Sequence, residues 1–523
     1  MNMFLMSITV MLYLLVLAGL AYLGYKRTKS SNDFLLGGRN TNSVIMALSY
    51  AATFISTSAI VGFGGIAATF GMGIQWLCLL NILMGVIVAF IVFGRPTRRL
   101  GLKLEARTFA QFLGNFYGSS HIRKFVAIVI FIGMPLYTAV VIKGGAVFIE
   151  QVFRIDLNIA LFIFTLIVAL YVITGGIKAV MYTDAFQAAI MFSCMFFMLI
   201  WFYKGIDMGF AEANRALSDM AFLVPERFKE LGHQGWTAMP VLGSPQWYTL
   251  VTSLILGVGI GCLAQPQLAV RFMMVKSDRQ LNRGVLIGAL FVIITVGTTY
   301  HVGALSNLFF IDKYGTVAAD TVKDMDKIIP FFIDNAMPPW FGIVFMLCIL
   351  SAGMSTLSAL FHTMGASLGV DLIGGYKRFK GRTTLVVRIS TVIAIIATYI
   401  ICYMLSAGII ARGTALFMGV CAATFLPAYA CALFWKGVTR QGAIASLWTG
   451  ALTSVFSMVF MHKAEAVPIG LGKLLFGKEY LIDAYPWYLI DPILFSFPLS
   501  ALVIFTVSKL TQNKLPADNR LAA

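Results

Sequence analysis

The chain has 523 residues, 59% of them hydrophobic and only 12% charged, about half the charge of an ordinary soluble domain. Apolar runs long enough to cross a bilayer recur from end to end, which excludes a soluble enzyme and predicts an all-α polytopic membrane protein. The net charge of +17 would suit a nucleic-acid binder, but the basic residues gather in alternate loops, on one side of the membrane, so the excess is topological and no nucleic-acid partner is expected.

In chain order, thirteen spans are predicted, at 3–25, 41–70, 71–93, 125–153, 157–174, 176–204, 247–272, 284–311, 338–370, 384–407, 410–435, 442–461 and 485–508. Nothing basic precedes the first, whereas Lys26, Arg27 and Lys29 follow it. The positive-inside rule therefore puts the N-terminus outside and, with an odd count, the C-terminus in the cytoplasm of a cell-membrane protein. A signal peptide has the opposite charge order. The remaining loops agree. Arg95, Arg98, Arg99, Lys103, Arg107, Arg123 and Lys124, then Arg271, Lys276, Arg279 and Arg283, then Lys377, Arg378, Lys380 and Arg382 fall on the inner side, and the acidic tract 312–326 on the outer. The longest loop, 205–246, reads as a short amphipathic cap broken by Pro225, Gly232 and Gly235.

Two spans are not simple lipid-facing helices. In the second, the stretch SYAATFISTSAIVGFGG from Ser49 to Gly65 places Thr53, Ser56, Thr57 and Ser58 at membrane depth and follows them with Gly62, Gly64 and Gly65. The seventh carries Gly257, Gly259, Gly261 and then Gln265-Pro266. Irregular backbone survives in hydrocarbon only where it is buried in protein or lines a cavity. Paired interruptions five spans apart, an odd number, imply two halves of inverted topology with a binding site between them. Glycine that merely packs helices together is the alternative reading. The chain thus divides as one membrane domain over 1–523: an extra helix and loop (1–40), five spans (41–204), five more (247–435), and two C-terminal helices with a tail (442–523). The seven cysteines all fall in apolar spans without metal-ligand spacing and read as small core residues.

Six motifs then occur in order: FLLGGR (Phe34 to Arg39), TFAQFL (Thr108 to Leu113), GGIKAVMYTDAFQ (Gly175 to Gln187), AQPQLAVRFM (Ala264 to Met273), AGMSTLSALFHT (Ala352 to Thr363) and FLPAYACALFWK (Phe425 to Lys436). In sequence and spacing they resemble the sodium/solute symporter family, which includes the sodium-coupled sugar, proline and pantothenate carriers. The resemblance implies a LeuT-type fold, with inverted five-helix repeats after one extra helix. It also implies a sodium ion held by the backbone carbonyls of Ala52, Ile55 and Ala352 and by the hydroxyls of Ser355 and Thr356. Such oxygens suit a hard cation without a full carboxylate. The other reading of Ser355 and Thr356 is that they bond the backbone of their own helix.

Asp184, in the sixth span, is an ionisable group inside a membrane and so a functional candidate. The resemblance places it on the sodium release path; pairing with Lys178 or capping of the helix end is the alternative. The solute would lie against Thr53, Phe54, Ser56 and the glycines beyond, Tyr137, Val258, Cys262 and Gln265. Tyr137 matches a tyrosine that contacts proline in the proline carriers. Val258 and Cys262 stand where those carriers have aromatics, and Phe54 where they have an aspartate, which argues against proline as the solute. Lys143 lies about 15 Å from the outer end of the fourth span at the α-helical rise, too deep to snorkel easily. It reads either as a counter-charge for a small carboxylate solute or as a partner of Glu150. His301 and His362 read as hydrogen-bonded helix residues. Arg388 lies near the inner end of its span, within snorkelling reach.

These residues together predict sodium-coupled uptake of a small organic solute by alternating access, with sodium and solute as the ligands. A membrane solute sensor and a proton-coupled symporter remain the alternatives. No nucleophile-base set, metal cluster or phosphate loop suggests an enzyme.

Overall fold

In hydrocarbon a spanning segment must satisfy its backbone internally, and the apolar runs accordingly form helices. The computed structural model describes residues 3–28, 30–39, 41–374 and 382–512; Lys29, Lys377, Arg378 and Lys380 of the topology argument lie outside them. Among the described residues the one departure from helix and loop is an isolated bridge between Thr41 and Val275.

Eleven helices are long and apolar enough to span a bilayer, and a bent pair makes a twelfth. They begin with α1 (Met3–Lys26), the bent pair α2 (Ser43–Phe54) and α3 (Ser58–Phe70), α4 (Met72–Lys103) and α5 (Ser120–Phe153). Next come α6 (Leu157–Ile206), α7 (Pro245–Ala264), the short α8 (Pro266–Phe272) and α9 (Asp278–Tyr314). A surface helix, α10 (Met325–Ala336), precedes α11 (Pro339–Leu372), α12 (Thr383–Met404), α13 (Ile410–Phe434), α14 (Arg440–Phe460) and α15 (Ile493–Thr511). Thirteen spans were expected; the thirteenth depends on residues 157–174, where the apolar helix Leu157–Leu170 is shorter than the others and a kink at Gly176 (φ 63°) parts it from the second arm of α6. The most apolar window of α1 is 22% buried and that of α11 83%, so α11 is the central helix and α1 a peripheral one.

Both expected interruptions are present. Between α2 and α3 the axis bends by 54°. Ile55 leaves the helix at φ −94°, ψ 108°. Between α7 and α8, Gln265 is extended (φ −72°, ψ 117°) and Pro266 restarts the helix at its first position, where no N–H is needed. The glycines after the first break do not border an open space. A Cβ on Gly62 would press on Ile410 and Ala411, one on Gly64 on Ile329, and one on Gly65 would come within 2.0 Å of the Met325 carbonyl. They bring α3 against α10 and α13, a packing role in place of the expected solute contact.

At the end of the bundle where the first interrupted segment enters and the second leaves, Thr41 donates its N–H to Met274 O at 3.3 Å. There Arg98 and Arg99 both pair with Asp278, at 2.8 and 2.6 Å. The loop 205–246 is anchored at the opposite end. Trp236 is 2% exposed and donates its indole N–H to Ala68 O at 2.9 Å. Gly71, at φ +86°, lets the chain turn against the Trp236 backbone.

Candidate functional site

The break in α2 is closed from the side by α11. Ser355 donates its hydroxyl to Ala52 O at 2.8 Å, and Thr356 donates to Thr53 O at 3.1 Å. Ala52, Ala352, Ser355 and Thr356 have no exposed surface. Ser355 also approaches the carbonyls of its own helix, Ser351 O at 2.7 Å and Ala352 O at 3.3 Å, as the reading of a hydroxyl bonded to its own backbone expects. The structure therefore brings Ala52, Ala352 and Ser355 together, and it puts Thr356 on the Thr53 carbonyl. Ile55 lies in the extended link, its own N–H bonded to Ala51 O. A hydroxyl that donates one proton keeps its lone pairs, so this cluster of carbonyl and hydroxyl oxygens has the donor chemistry of a hard monovalent cation site.

Asp184 lies close by and is fully buried. Its Oδ2 accepts from Ser49 Oγ at 2.7 Å and from Thr53 Oγ1 at 3.4 Å. Arg271, on α8, makes a 3.0 Å salt bridge to the same oxygen and also donates to the hydroxyls of Ser49 and Thr53. The suggested partner Lys178 is engaged elsewhere, with Asp33 at 2.6 Å, so that pairing is ruled out. Arg271 corrects the sequence reading, which placed it among the inner-loop charges; it is 1% exposed. Two buried opposite charges bridged by hydroxyls tie both interrupted helices to α6. Thr53, expected on the solute side, turns its hydroxyl into this network instead.

The other expected solute contacts fall into two groups. Tyr137 on α5 is hydrogen-bonded to Ser56 in the link, and its ring stacks on Phe417 of α13 with centroids 5.5 Å apart. Phe54 and Cys262 converge on Gly85 of α4: a Cβ there would lie 2.9 Å from Phe54 and 3.4 Å from Cys262. Gln265 donates to Gly261 O at 3.1 Å and accepts from Gln267 at 3.2 Å. Val258 is buried at 5% exposure on the same interrupted segment. These side chains line the crossing of α2, α5, α7 and α13 with aromatic, thiol, hydroxyl and amide groups, and no ionised one.

Lys143 does not pair with Glu150, because Glu150 binds Lys327 at 2.9 Å. Lys143 Nζ donates instead to the last carbonyls at the C-terminal end of α12, Leu405 O at 3.1 Å and Ser406 O at 2.5 Å, where a cation is favoured. Asp326 holds the same turn from the other side, accepting from the backbone N–H groups of Gly408 and Ile410. Burial, with Asp324 adding to it, pushes the Asp326 carboxyl up to about 7, against the opposing pull of Lys143. His301 bonds the Tyr203 hydroxyl at 2.7 Å, and His362 bonds the backbone of Leu35. The cysteines are free thiols, all buried except the half-buried Cys431.

Residues 34–450 match the sequence model of the Sodium:solute symporter family. The chain is 27% identical to sodium/proline symporter 2 of Staphylococcus saprophyticus, over 91% of this chain and 90% of the relative. It is 26% identical to a sodium/proline symporter of Staphylococcus aureus, over 97% and 92%. Among solved structures, a substrate-bound, outward-open Na+-coupled sialic acid symporter superposes with a TM-score of 0.74 at 15% identity, over 98% of this chain and 97% of that one. That likeness gives the fold. With the family match it makes this a multi-pass membrane transporter, not an enzyme, that couples a small solute to sodium: the chain belongs to the sodium:solute symporter family.

Proposed function

We propose that the chain carries a small carboxylate-bearing organic solute into the cell with sodium. Sodium would be held by the oxygens of Ala52, Ile55, Ala352, Ser355 and Thr356, and the solute by the surface that Phe54, Ser56, Tyr137, Val258, Cys262 and Gln265 line. The observation that carries the reading is the pair of hydroxyl-to-carbonyl contacts from α11 onto the break of α2. An ion placed there joins two helices, so whichever state brings them together is the state sodium stabilises. By linkage the solute then gains affinity from sodium and sodium from the solute. The two five-span units, 41–204 and 247–435, are proposed to be the inverted halves that rock about this point, with the N-terminus outside and the C-terminus in the cytoplasm.

Asp184 takes its place on the inward ion path, closed by Arg271 until the two interrupted helices part. Lys143 is withdrawn as a solute counter-charge, since its ammonium is spent on the turn after α12. Support for a carboxylate comes instead from the relatives: the sequence relatives carry proline in their names, and the structural neighbour is a sialic acid symporter. Proline itself is disfavoured by Phe54, Val258 and Cys262. The test is uptake into proteoliposomes of proline, sialic acid, monocarboxylates, pantothenate and glucose under an inward sodium gradient, a proton gradient and none. Sodium-driven uptake of one of the acids is expected. Uptake driven by protons alone, or of glucose alone, contradicts the proposal.

A further inference from the structure

The least buried spanning helix buries a hydroxyl against the most buried one, α11. On α1, Tyr13 is 4% exposed, and its ring stacks against Phe186 with centroids 6.3 Å apart. Its oxygen lies 3.1 Å from Ser351 Oγ, accepts from Gln187 Nε2 at 3.1 Å and sits 4.0 Å from Met354 Sδ. Gln187 is one helical turn beyond Asp184 on α6. Ser351 is one turn before Ser355 on α11, and its carbonyl lies 2.7 Å from the Ser355 hydroxyl. One phenolic oxygen therefore joins the helix of the buried aspartate to the helix of the cluster hydroxyls. A phenylalanine would fill the same space without the cost of burying an oxygen, so what the hydroxyl adds is its hydrogen bonds. The α1 helix also lies before the stretch that matches the family, which begins at residue 34.

We infer that Tyr13 is a positioning residue for the sodium site: it fixes the spacing of α6 and α11 and the setting of the turn from Ser351 to Ser355. The inference rests on the assignment of sodium to Ala52, Ser355 and Thr356. With the hydroxyl gone, Gln187 and Ser351 lose a shared partner and the turn is free to shift, so the ion meets a site that must be ordered as it binds.

The test titrates purified full-length protein with sodium chloride against choline chloride and reads the ion-induced rise in melting temperature. In Tyr13→Phe the sodium dissociation constant fitted to this rise is expected to increase roughly threefold to tenfold, the equilibrium equivalent of about one net buried hydrogen bond. Above that constant the rise grows with the logarithm of sodium concentration, so its onset is expected to move to higher sodium with its slope retained, whereas a lowered baseline stability shifts the whole curve, the sodium-free point included. Ser351→Ala removes the other hydroxyl and leaves the ring in place, and is expected to give the same selective change. It also decides the matter if Tyr13→Phe does not accumulate as folded protein. A dissociation constant unchanged in the folded variants overturns the inference, as does a melting temperature lowered equally at every sodium concentration, the sodium-free point included. Ser355→Ala in the same assay separates the two assignments. A retained sodium response there overturns the site itself; a lost response there, with Tyr13→Phe unaltered, overturns the role of Tyr13 alone.

Discussion

Ser355 and Ala52 meet at 2.8 Å although 303 residues separate them in the chain, and Thr356 and Thr53 repeat the contact one residue on. Each pair sets a hydroxyl of a continuous helix against a carbonyl in the last turn of an interrupted one. Moving α11 relative to α2 must break both contacts together, which makes them a two-state element suited to a coupling ion.

The Asp184–Arg271 pair is fully enclosed, so removing one partner leaves an uncompensated buried charge. Arg271→Met is expected to destabilise the protein by about 3–5 kcal/mol, measured by chemical unfolding in detergent. Arg271→Met combined with Asp184→Asn is expected to recover part of that loss. A loss in the double variant equal to the sum of the two single losses would mean that the charges do not act as a pair.

Lys143→Met strands the Leu405 and Ser406 carbonyls at the end of α12. A stability loss of about 1–3 kcal/mol is expected, with the order of preference among solutes unchanged. Uptake of carboxylates lost selectively, with neutral solutes unaffected, would restore Lys143 to the solute site.

Asp326 gives the molecule a pH dependence of definite sign. Its folded value of about 7 lies above the ordinary 3.8, so the folded state binds more protons than the unfolded one between those limits. The contribution of this group to stability therefore falls as pH rises from about 4 to about 7, and is level above that. Melting temperature followed from pH 5 to pH 8 is expected to fall less steeply in Asp326→Asn than in the unaltered chain. Identical profiles would show that Asp326 does not titrate in this range.

Much of this architecture is written locally. The spans follow from apolar length, and both breaks follow from hydroxyls and glycines in one segment and from Gln265-Pro266 in the other. What local pattern leaves out is tertiary pairing. Lys143 and Glu150 share a helix face by spacing, yet each is taken by a group from a distant segment, the turn after α12 and Lys327. Arg271 trails a helix break and counts as a loop charge until the helix restarting at Pro266 carries it inward. The signal for it was present, since Asp184 at membrane depth required a cation and the AQPQLAVRFM motif held one. Gly62, Gly64 and Gly65 marked the right segment, but nothing in the sequence tells a glycine beside a cavity from one beneath another helix.

The most direct test is saturable binding of radiolabelled sodium to the purified protein and to its Ser355→Ala/Thr356→Ala variant, each shown to be folded by its melting profile. Binding present in the first and lost in the second is the expected result. Unaltered sodium binding in the folded double variant would contradict the placement of the ion between α2 and α11.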